Sequence, residues 1–161
     1  MNAIELLESQ HRDVEDTFAE IESSDESDSR LRAFEKLAES LAIHAAIEEH
    51  QFYPAVKAKG MSNFVLESLE EHLGVKRVIA DIMKTDPDDE TFSAKVKVLK
   101  ELVLTHVDEE ESELFPQVER LFKGDQLDEL GAQIESEAGQ LYDEGSPRMN
   151  IPSETEQAPA L

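Results

Sequence analysis

Residues 44–54, HAAIEEHQFYP, and residues 106–116, HVDEEESELFP, follow one pattern: His-x-x-x-Glu-Glu, two variable residues, an apolar pair and Pro. The second copy begins 62 residues after the first (106 − 44). A fainter pair, residues 11–14 (HRDV) and 72–75 (HLGV), is separated by 61 residues (72 − 11). One His-x-x-x-Glu arises easily by chance in a Glu-rich helix, but two copies with the same continuation indicate that the chain repeats one structural unit.

Apolar residues recur at intervals of three and four over most of the chain, which is the spacing of an amphipathic helix. No segment shows the sustained alternation with a period of two that predicts a strand. Turn-forming residues at 23–29, at Gly60 and around Pro87 separate the helical stretches. The predicted helices cover Ile4–Ile21, Leu31–Ala58, Phe64–Ile82 and Val96–Phe122, and a shorter one covers Gln126 to about Tyr142.

This order of elements predicts an all-α fold, an up-down-up-down four-helix bundle built from two repeated helical hairpins, with a short C-terminal helix. We expect an approximate twofold axis to relate the hairpins. Residues 1–144 form the predicted domain, and residues 145–161, rich in Pro, Ser, Glu and Gln, form a predicted flexible tail. Pro54 and Pro116 cannot donate a main-chain hydrogen bond, so we expect a helix bend at each.

The composition excludes several classes of protein. The chain has 161 residues, the size of one domain, and its formal net charge of −23 repels nucleic-acid phosphates and anionic lipids. Cysteine is absent, which excludes disulfides, thiolate metal sites and cysteine nucleophiles. The N-terminus has no signal-peptide pattern, and no apolar run is long enough to span a bilayer. We therefore predict a cytoplasmic protein with no nucleic-acid or membrane partner.

Four of the five histidines occupy corresponding positions in the four predicted bundle helices, each on or beside the apolar stripe. A lone histidine on such a stripe is usually a hydrogen-bonded core residue, but four converging in one bundle would need four separate polar partners. A bound metal satisfies all of them at once. The four are His11, His44, His72 and His106.

Two glutamates join the histidines, because residues four apart share a helix face: Glu48 follows His44, and Glu110 follows His106. Side by side, the carboxylates would repel each other, and two multivalent cations bridged by them remove that repulsion. Nitrogen and oxygen ligands without sulfur favour iron or manganese, with zinc as a possible substitute. Two histidines per metal leave coordination positions open for dioxygen, peroxide or nitric oxide.

These motifs resemble those of the hemerythrin-like family, the HHE cation-binding domains, over about Asn2 to Lys123. The resemblance implies a four-helix bundle with a non-haem di-iron site, two Fe ions bridged by oxygen and carboxylates. The positions that match the ligands of the family are His11, His44, Glu48, His72, His106 and Glu110.

Two departures separate the chain from the oxygen-carrying members of the family. Lys76 stands where the carriers have a further histidine, and Glu110 follows His106 by four residues rather than five. The pattern resembles the four-histidine, two-glutamate subgroup, which is linked to peroxide decomposition, nitric oxide handling and iron sensing. We therefore expect a catalase-like protein that decomposes peroxide; the alternative is a sensor or carrier that binds dioxygen, nitric oxide or iron without turnover.

A few other residues near the motifs have competing interpretations. Glu15 follows His11 by four residues and is a candidate seventh ligand, although its counterpart in the second repeat is a lysine. Glu49 and Glu111 point about 100° away from the ligand face and are expected at the surface or as hydrogen-bond partners of the imidazoles. His50 is expected at the surface. Tyr53 is expected to be a structural residue at the end of the bundle.

Overall fold

The computed structural model describes residues 1–161, and every element in it is a helix. The predicted all-α, up-down-up-down bundle with a C-terminal helix is confirmed. Its elements are α1 (Ala3–Ser23), α2 (Ser27–Ile47), a first π turn (Glu48–Phe52), α3 (Tyr53–Ala58), α4 (Ser62–Met83), α5 (Phe92–Glu109), a second π turn (Glu110–Leu114), α6 (Phe115–Leu121), α7 (Gly124–Glu144) and a 3-10 helix (Pro147–Glu154).

Local sequence signals set several helix ends. Asn2 caps α1: its side chain accepts a hydrogen bond from the amide of Glu5, whose side chain accepts one from the amide of Asn2. Gly60, at φ +95°, supplies the left-handed residue in the turn between α3 and α4. No helix combines the length and the apolar character that a membrane crossing requires.

The second and fourth bundle helices each contain a π turn, where the sequence predicts a continuous helix with a bend. In the first π turn the amide of Tyr53 donates to the carbonyl of Glu48, five residues back, and in the second the amide of Phe115 donates to the carbonyl of Glu110. Each turn ends two residues before a proline, which has no amide hydrogen to continue the α-helical pattern. The two π turns occupy corresponding positions of the sequence repeat.

Two apolar clusters of 16 buried residues each fill the interior of the bundle. The first cluster includes Leu7 of α1 and Leu69 of α4, and the second includes Phe18 of α1 and Ile79 of α4. His11 lies between the two clusters along α1, as does His72 along α4. The bundle therefore has a polar layer between two apolar layers.

The C-terminal elements pack on the bundle. Helix α7 contacts α1, α2 and the first π turn, and main-chain atoms of Met1 and Ala3 lie so close to Gly131 that a Cβ there would come within 2.7 and 2.9 Å of them. Residues 145–161, expected from composition to be flexible, include the 3-10 helix that contacts α2 and α4. Ile151 anchors this helix because its side chain is buried in the second apolar cluster.

Candidate metal centre

The polar layer brings together all six side chains that the sequence predicts as metal ligands. His11 lies on α1, His44 on α2, His72 on α4 and His106 on α5, and each is less than a tenth exposed. Glu48 and Glu110 are the first residues of the two π turns, and both are completely buried.

Each carboxylate lies between an imidazole of its own hairpin and an imidazole of the other. The oxygens of Glu48 lie 3.2 Å from His44 Nε2 and 3.1 Å from His72 Nε2. Those of Glu110 lie 3.4 Å from both His106 Nε2 and His11 Nε2. All four imidazoles thus direct Nε2 inward, and each glutamate faces one imidazole of each hairpin.

The candidate ligand atoms form two overlapping groups in which all atoms lie within 4.8 Å of one another. The first group contains His11, His44 and both glutamates, and the second contains Glu48, His72 and His106. We call them the His11–His44 position and the His72–His106 position. Each could hold one metal ion through two imidazoles and a shared carboxylate.

The outward nitrogen of each imidazole also has a partner. The Nδ1 atoms of His11 and His72 lie 2.8 and 3.0 Å from Oε1 of Glu111 and Glu49, each from the opposite hairpin. Because a carboxylate oxygen can only accept, Nδ1 carries the proton and donates it, which leaves Nε2 available for a metal ion. This arrangement fits the expectation that these two glutamates orient imidazoles.

The other two imidazoles are oriented from within their own hairpins. His44 Nδ1 lies 2.7 Å from Oε1 of Gln10, and His106 Nδ1 lies 3.1 Å from Oε1 of Glu71. Gln10 and Glu71 each precede the first histidine of their repeat. The hydrogen-bond pattern around the site therefore repeats between the hairpins, as an approximate twofold relation would require.

Four inward atoms show whether the site fits a metal. They lie in two imidazole–carboxylate pairs, 3.4 and 3.2 Å apart, but make no hydrogen bond of acceptable geometry within the protein. They are Nε2 of His11 and His44, Oε1 of Glu48 and Oε2 of Glu110. These four residues are the members of the His11–His44 position. Buried polar atoms are rarely left unpaired because their desolvation is unfavourable, and a cation would satisfy all four. The residues present therefore fit a metal ion.

The ionisation of the metal-free site follows from burial and the opposed charges. Burial raises the pKa of Glu48, but the electrostatic attraction of His44 and His72 outweighs burial and holds that pKa well below its ordinary value. Burial and the charge of Glu48 raise the pKa of Glu110, yet the nearby imidazoles lower it to about 2. Both carboxylates are therefore ionised at neutral pH.

The pKa values of three of the imidazoles shift upward, opposite to those of the carboxylates. Burial lowers the pKa of His11, His72 and His106, but the hydrogen bonds with the glutamates and the negative charges of the glutamates outweigh burial and raise each pKa above 6.5. The increase is largest for His106, which faces Glu110 and Glu71. Metal binding at these nitrogens must displace the protons, so it depends on pH.

Tyr53 lies at the centre of the site and not at the end of the bundle, where the sequence places it. Its hydroxyl donates to Glu110 Oε1 at 2.6 Å and lies 3.2 Å from both Glu48 Oε2 and His72 Nε2. The π turn is the reason: with hydrogen bonds between residues five apart, Tyr53 falls on the same face as Glu48. The proline that follows the apolar pair in each motif was the only sequence signal of this turn.

The second π turn places Phe115 in the position that corresponds to Tyr53. The ring of Phe115 stacks on the imidazole of His11, with ring centroids 5.9 Å apart and planes at 4°. The hydroxyl of Tyr53 faces His72 and lies 3.4 Å from His106 Nε2. The two metal positions therefore differ in their aromatic neighbours, although each has two imidazoles.

Three further residues lie outside the group of ligands. Glu15 is 41% exposed and pairs with Arg12, so the structure does not bring this candidate seventh ligand to the site. His50 lies at the surface, as expected, and pairs with Glu137. Lys76 is buried, and its Nζ donates to both oxygens of Glu49 at 2.9 and 3.1 Å.

A cavity of about 80 Å³ leads to the four imidazoles. Its walls are mostly apolar and include Leu41, Ile79 and Val103, with Ile151 and Glu154 contributed by the C-terminal 3-10 helix. A space of this size has room for several water molecules or for a small ligand such as dioxygen or peroxide.

Comparisons with known proteins agree with this architecture. An uncharacterized protein of Mycobacterium tuberculosis, Rv2633c, is 27% identical over 149 residues, which is 91% of this chain and 90% of that protein. A DNA nickase of Nostoc sp. is 25% identical over 84% of this chain, and the match spans only 39% of the length of the nickase.

A solved structure has the same fold. The crystal structure of a hemerythrin HHE cation binding domain-containing protein from Mycobacterium kansasii, a homolog of Rv2633c, superposes with a TM-score of 0.82. The alignment covers 97% of this chain and 95% of that protein, with 22% identity. The family model of the hemerythrin HHE cation binding domain matches residues 2–118, which include all six candidate ligands. The chain therefore belongs to the hemerythrin HHE cation-binding domain family.

Proposed function

We propose that the protein is a non-haem di-iron protein that binds or turns over a small oxygen or nitrogen species, with peroxide decomposition as its reaction. One observation carries the proposal: four buried ligand atoms at the His11–His44 position face one another without a hydrogen bond of acceptable geometry. Imidazole and carboxylate donors without sulfur suit iron, with manganese or zinc as possible substitutes.

The residues that would hold the two ions are the four histidines, with Glu48, which belongs to both groups, and Glu110, which belongs to the His11–His44 group and lies 3.4 Å from His106 Nε2. Two iron ions so held would supply redox chemistry and open coordination positions for a small ligand. Peroxide decomposition needs no external electron donor: of two hydrogen peroxide molecules, one is oxidised to dioxygen and the other is reduced to two water molecules.

The remaining residues orient the ligands and limit access to them. Glu49 and Glu111 fix the ring orientation of His72 and His11 by accepting from Nδ1. The hydroxyl of Tyr53 donates a hydrogen bond to the carboxylate of Glu110, and the phenol keeps its proton because burial and the nearby glutamate charges raise its pKa well above 10. Apolar cavity walls restrict the amount of water at the site.

The alternative function is a sensor that binds dioxygen, nitric oxide or iron without turnover. One observation favours it: Ile151 and Glu154 of the C-terminal 3-10 helix form part of the cavity wall. Binding in the cavity would therefore act on a segment that also contacts α2 and α4. The DNA nicking named for the Nostoc relative is not part of our proposal, because most of that protein lies outside the match and a net charge of −23 repels DNA.

The test is metal analysis combined with optical spectra before and after addition of peroxide, dioxygen or nitric oxide. We expect two irons per chain, a spectral change with peroxide, and evolution of dioxygen. His72→Ala should lose iron and oxygen evolution, whereas His50→Ala, at a histidine exposed on the surface, should retain both. Protein purified after growth in iron without stoichiometric metal would refute the proposal. Ligand binding with metal-dependent protection of the helices and no turnover would favour the sensor.

A further inference from the structure

The internal repeat allows each residue around the site to be compared with its counterpart in the other hairpin. Gln10 and Glu71 are such a pair, because each precedes the first histidine of its repeat. Gln10 Oε1 accepts from Nδ1 of His44, and Glu71 Oε1 accepts from Nδ1 of His106. The two side chains have the same structural role, but one is a neutral amide and the other is a carboxylate.

The other pair of imidazole partners is closely matched. Glu49 and Glu111 are both carboxylates, and each also pairs with a cation. Nζ of Lys76 lies 2.9 Å from Glu49 Oε1, and the guanidinium of Arg12 contacts Glu111. These contacts contribute one carboxylate and one cation to each metal position, so they do not favour either position by charge.

The carboxylate of Glu71 has no lysine or arginine beside it to balance its charge. Its ion pair is with His106. Gln10, on the opposite side, brings no charge to His44. The difference between an amide and a carboxylate is therefore the main difference in charge among the groups that orient the four imidazoles.

A carboxylate that accepts the Nδ1 proton makes the imidazole a more basic ligand at Nε2, and an amide oxygen does so less. We infer that Glu71 and Gln10 make the two metal positions unequal, so that the His72–His106 position binds a divalent cation more tightly than the His11–His44 position. The inference rests on the proposed function, because it requires that both positions hold a metal. Changes of such imidazole partners typically alter metal affinity by about 10–100-fold.

The experiment measures Zn²⁺ binding to the metal-free full chain in competition with a chromophoric chelator. Zinc suits imidazole and carboxylate ligands and has no redox chemistry to complicate the titration. We expect two binding constants that differ by about 10–100-fold. His44→Ala should retain the stronger constant and His106→Ala the weaker one, with far-UV circular dichroism to check that each variant is folded.

Two substitutions act on the imidazole partners and leave the ligands in place. Glu71→Gln should weaken the stronger constant, and Gln10→Glu should strengthen the weaker one, each by about 10-fold or more. Glu70→Gln is the matched control, because it removes the same charge from an exposed neighbouring residue that has no contact with an imidazole. Both partner residues are only partly buried, so these variants are expected to fold.

The outcomes separate the inference from the proposed function. Two ions bound with equal constants would overturn the inference and leave the two-metal proposal in place. Equal effects of Glu71→Gln and Glu70→Gln would also overturn it, since only net charge would then matter. Failure to bind two ions would overturn the proposed function and the inference with it.

Discussion

Replacement of Tyr53 by phenylalanine tests whether the phenol belongs to the polar layer. The substitution removes one oxygen atom and creates no large cavity. In the structure this oxygen donates to Glu110 Oε1 at 2.6 Å, and both residues are completely buried. The carboxylate of Glu110 would lose a hydrogen bond that water could not easily replace.

The expected loss of stability follows from the type of hydrogen bond. Hydrogen bonds to charged groups contribute about 1.5–3 kcal/mol to the free energy of unfolding. For a chain of this length, 1 kcal/mol corresponds to about 2–4 °C in Tm. We therefore expect Tyr53→Phe to lower the Tm of the metal-free protein by about 3–12 °C.

The assay is thermal unfolding of metal-free protein followed by far-UV circular dichroism. Tyr142→Phe is the matched control, since the chain has two tyrosines and Tyr142 is 73% exposed. The control should change stability by less than about 0.5 kcal/mol. If both variants unfold at the Tm of the wild type, Tyr53 makes no stabilising hydrogen bond, and its placement among the ligands is wrong.

Three further predictions test the site and its surroundings. The raised histidine pKa values stabilise the metal-free fold below pH 6.5, and this contribution is lost as the pH rises through the folded-state pKa values. Urea unfolding should therefore show that stability decreases above pH 6.5 without metal and increases with metal bound. Parallel pH profiles of the two forms would contradict this. Gly131→Ala should destabilise the protein by about 1–3 kcal/mol, because the new Cβ would contact main-chain atoms of residues 1–3. Gly139→Ala on the same helix is the control: its Cβ would contact no atom, and it should stabilise the protein by about 0.5–1 kcal/mol. Ile151→Ala should detach the 3-10 helix and speed trypsin cleavage after Arg148; unchanged cleavage would mean that Ile151 does not anchor it.

The sequence was sufficient to predict the bundle and the candidate ligands, because both depend on regular helical spacing. Intervals of three and four place one stripe of each helix in the interior, and intervals of four place His44 with Glu48 and His106 with Glu110 on the same face. The repeat then predicted which histidines correspond. Spacing was not sufficient for Tyr53, because a π turn changes the spacing that brings residues to one face.

The hydrogen-bond partners of the imidazoles were only partly predictable. Glu49 and Glu111 were recognised because they adjoin the predicted ligands, but Gln10 and Glu71 reach histidines about 35 residues away along the chain. Glu15, in contrast, was a candidate that the structure does not bring to the site. Its spacing from His11 is that of a ligand, yet the rotation of α1 leaves its side chain 41% exposed. Side-chain partners on neighbouring helices depend on how the helices are rotated against each other, which is a property of packing.

By itself the amino-acid sequence determined the helices, their repeat and the set of six candidate ligands, since periodic burial is encoded locally. Only the tertiary structure decided that Tyr53 enters the polar layer, that each glutamate lies between imidazoles of different hairpins, and that the C-terminal segment lies against the bundle. These features arise from contacts between residues far apart in the chain. Such contacts are fixed by packing of whole helices and leave little trace in local spacing.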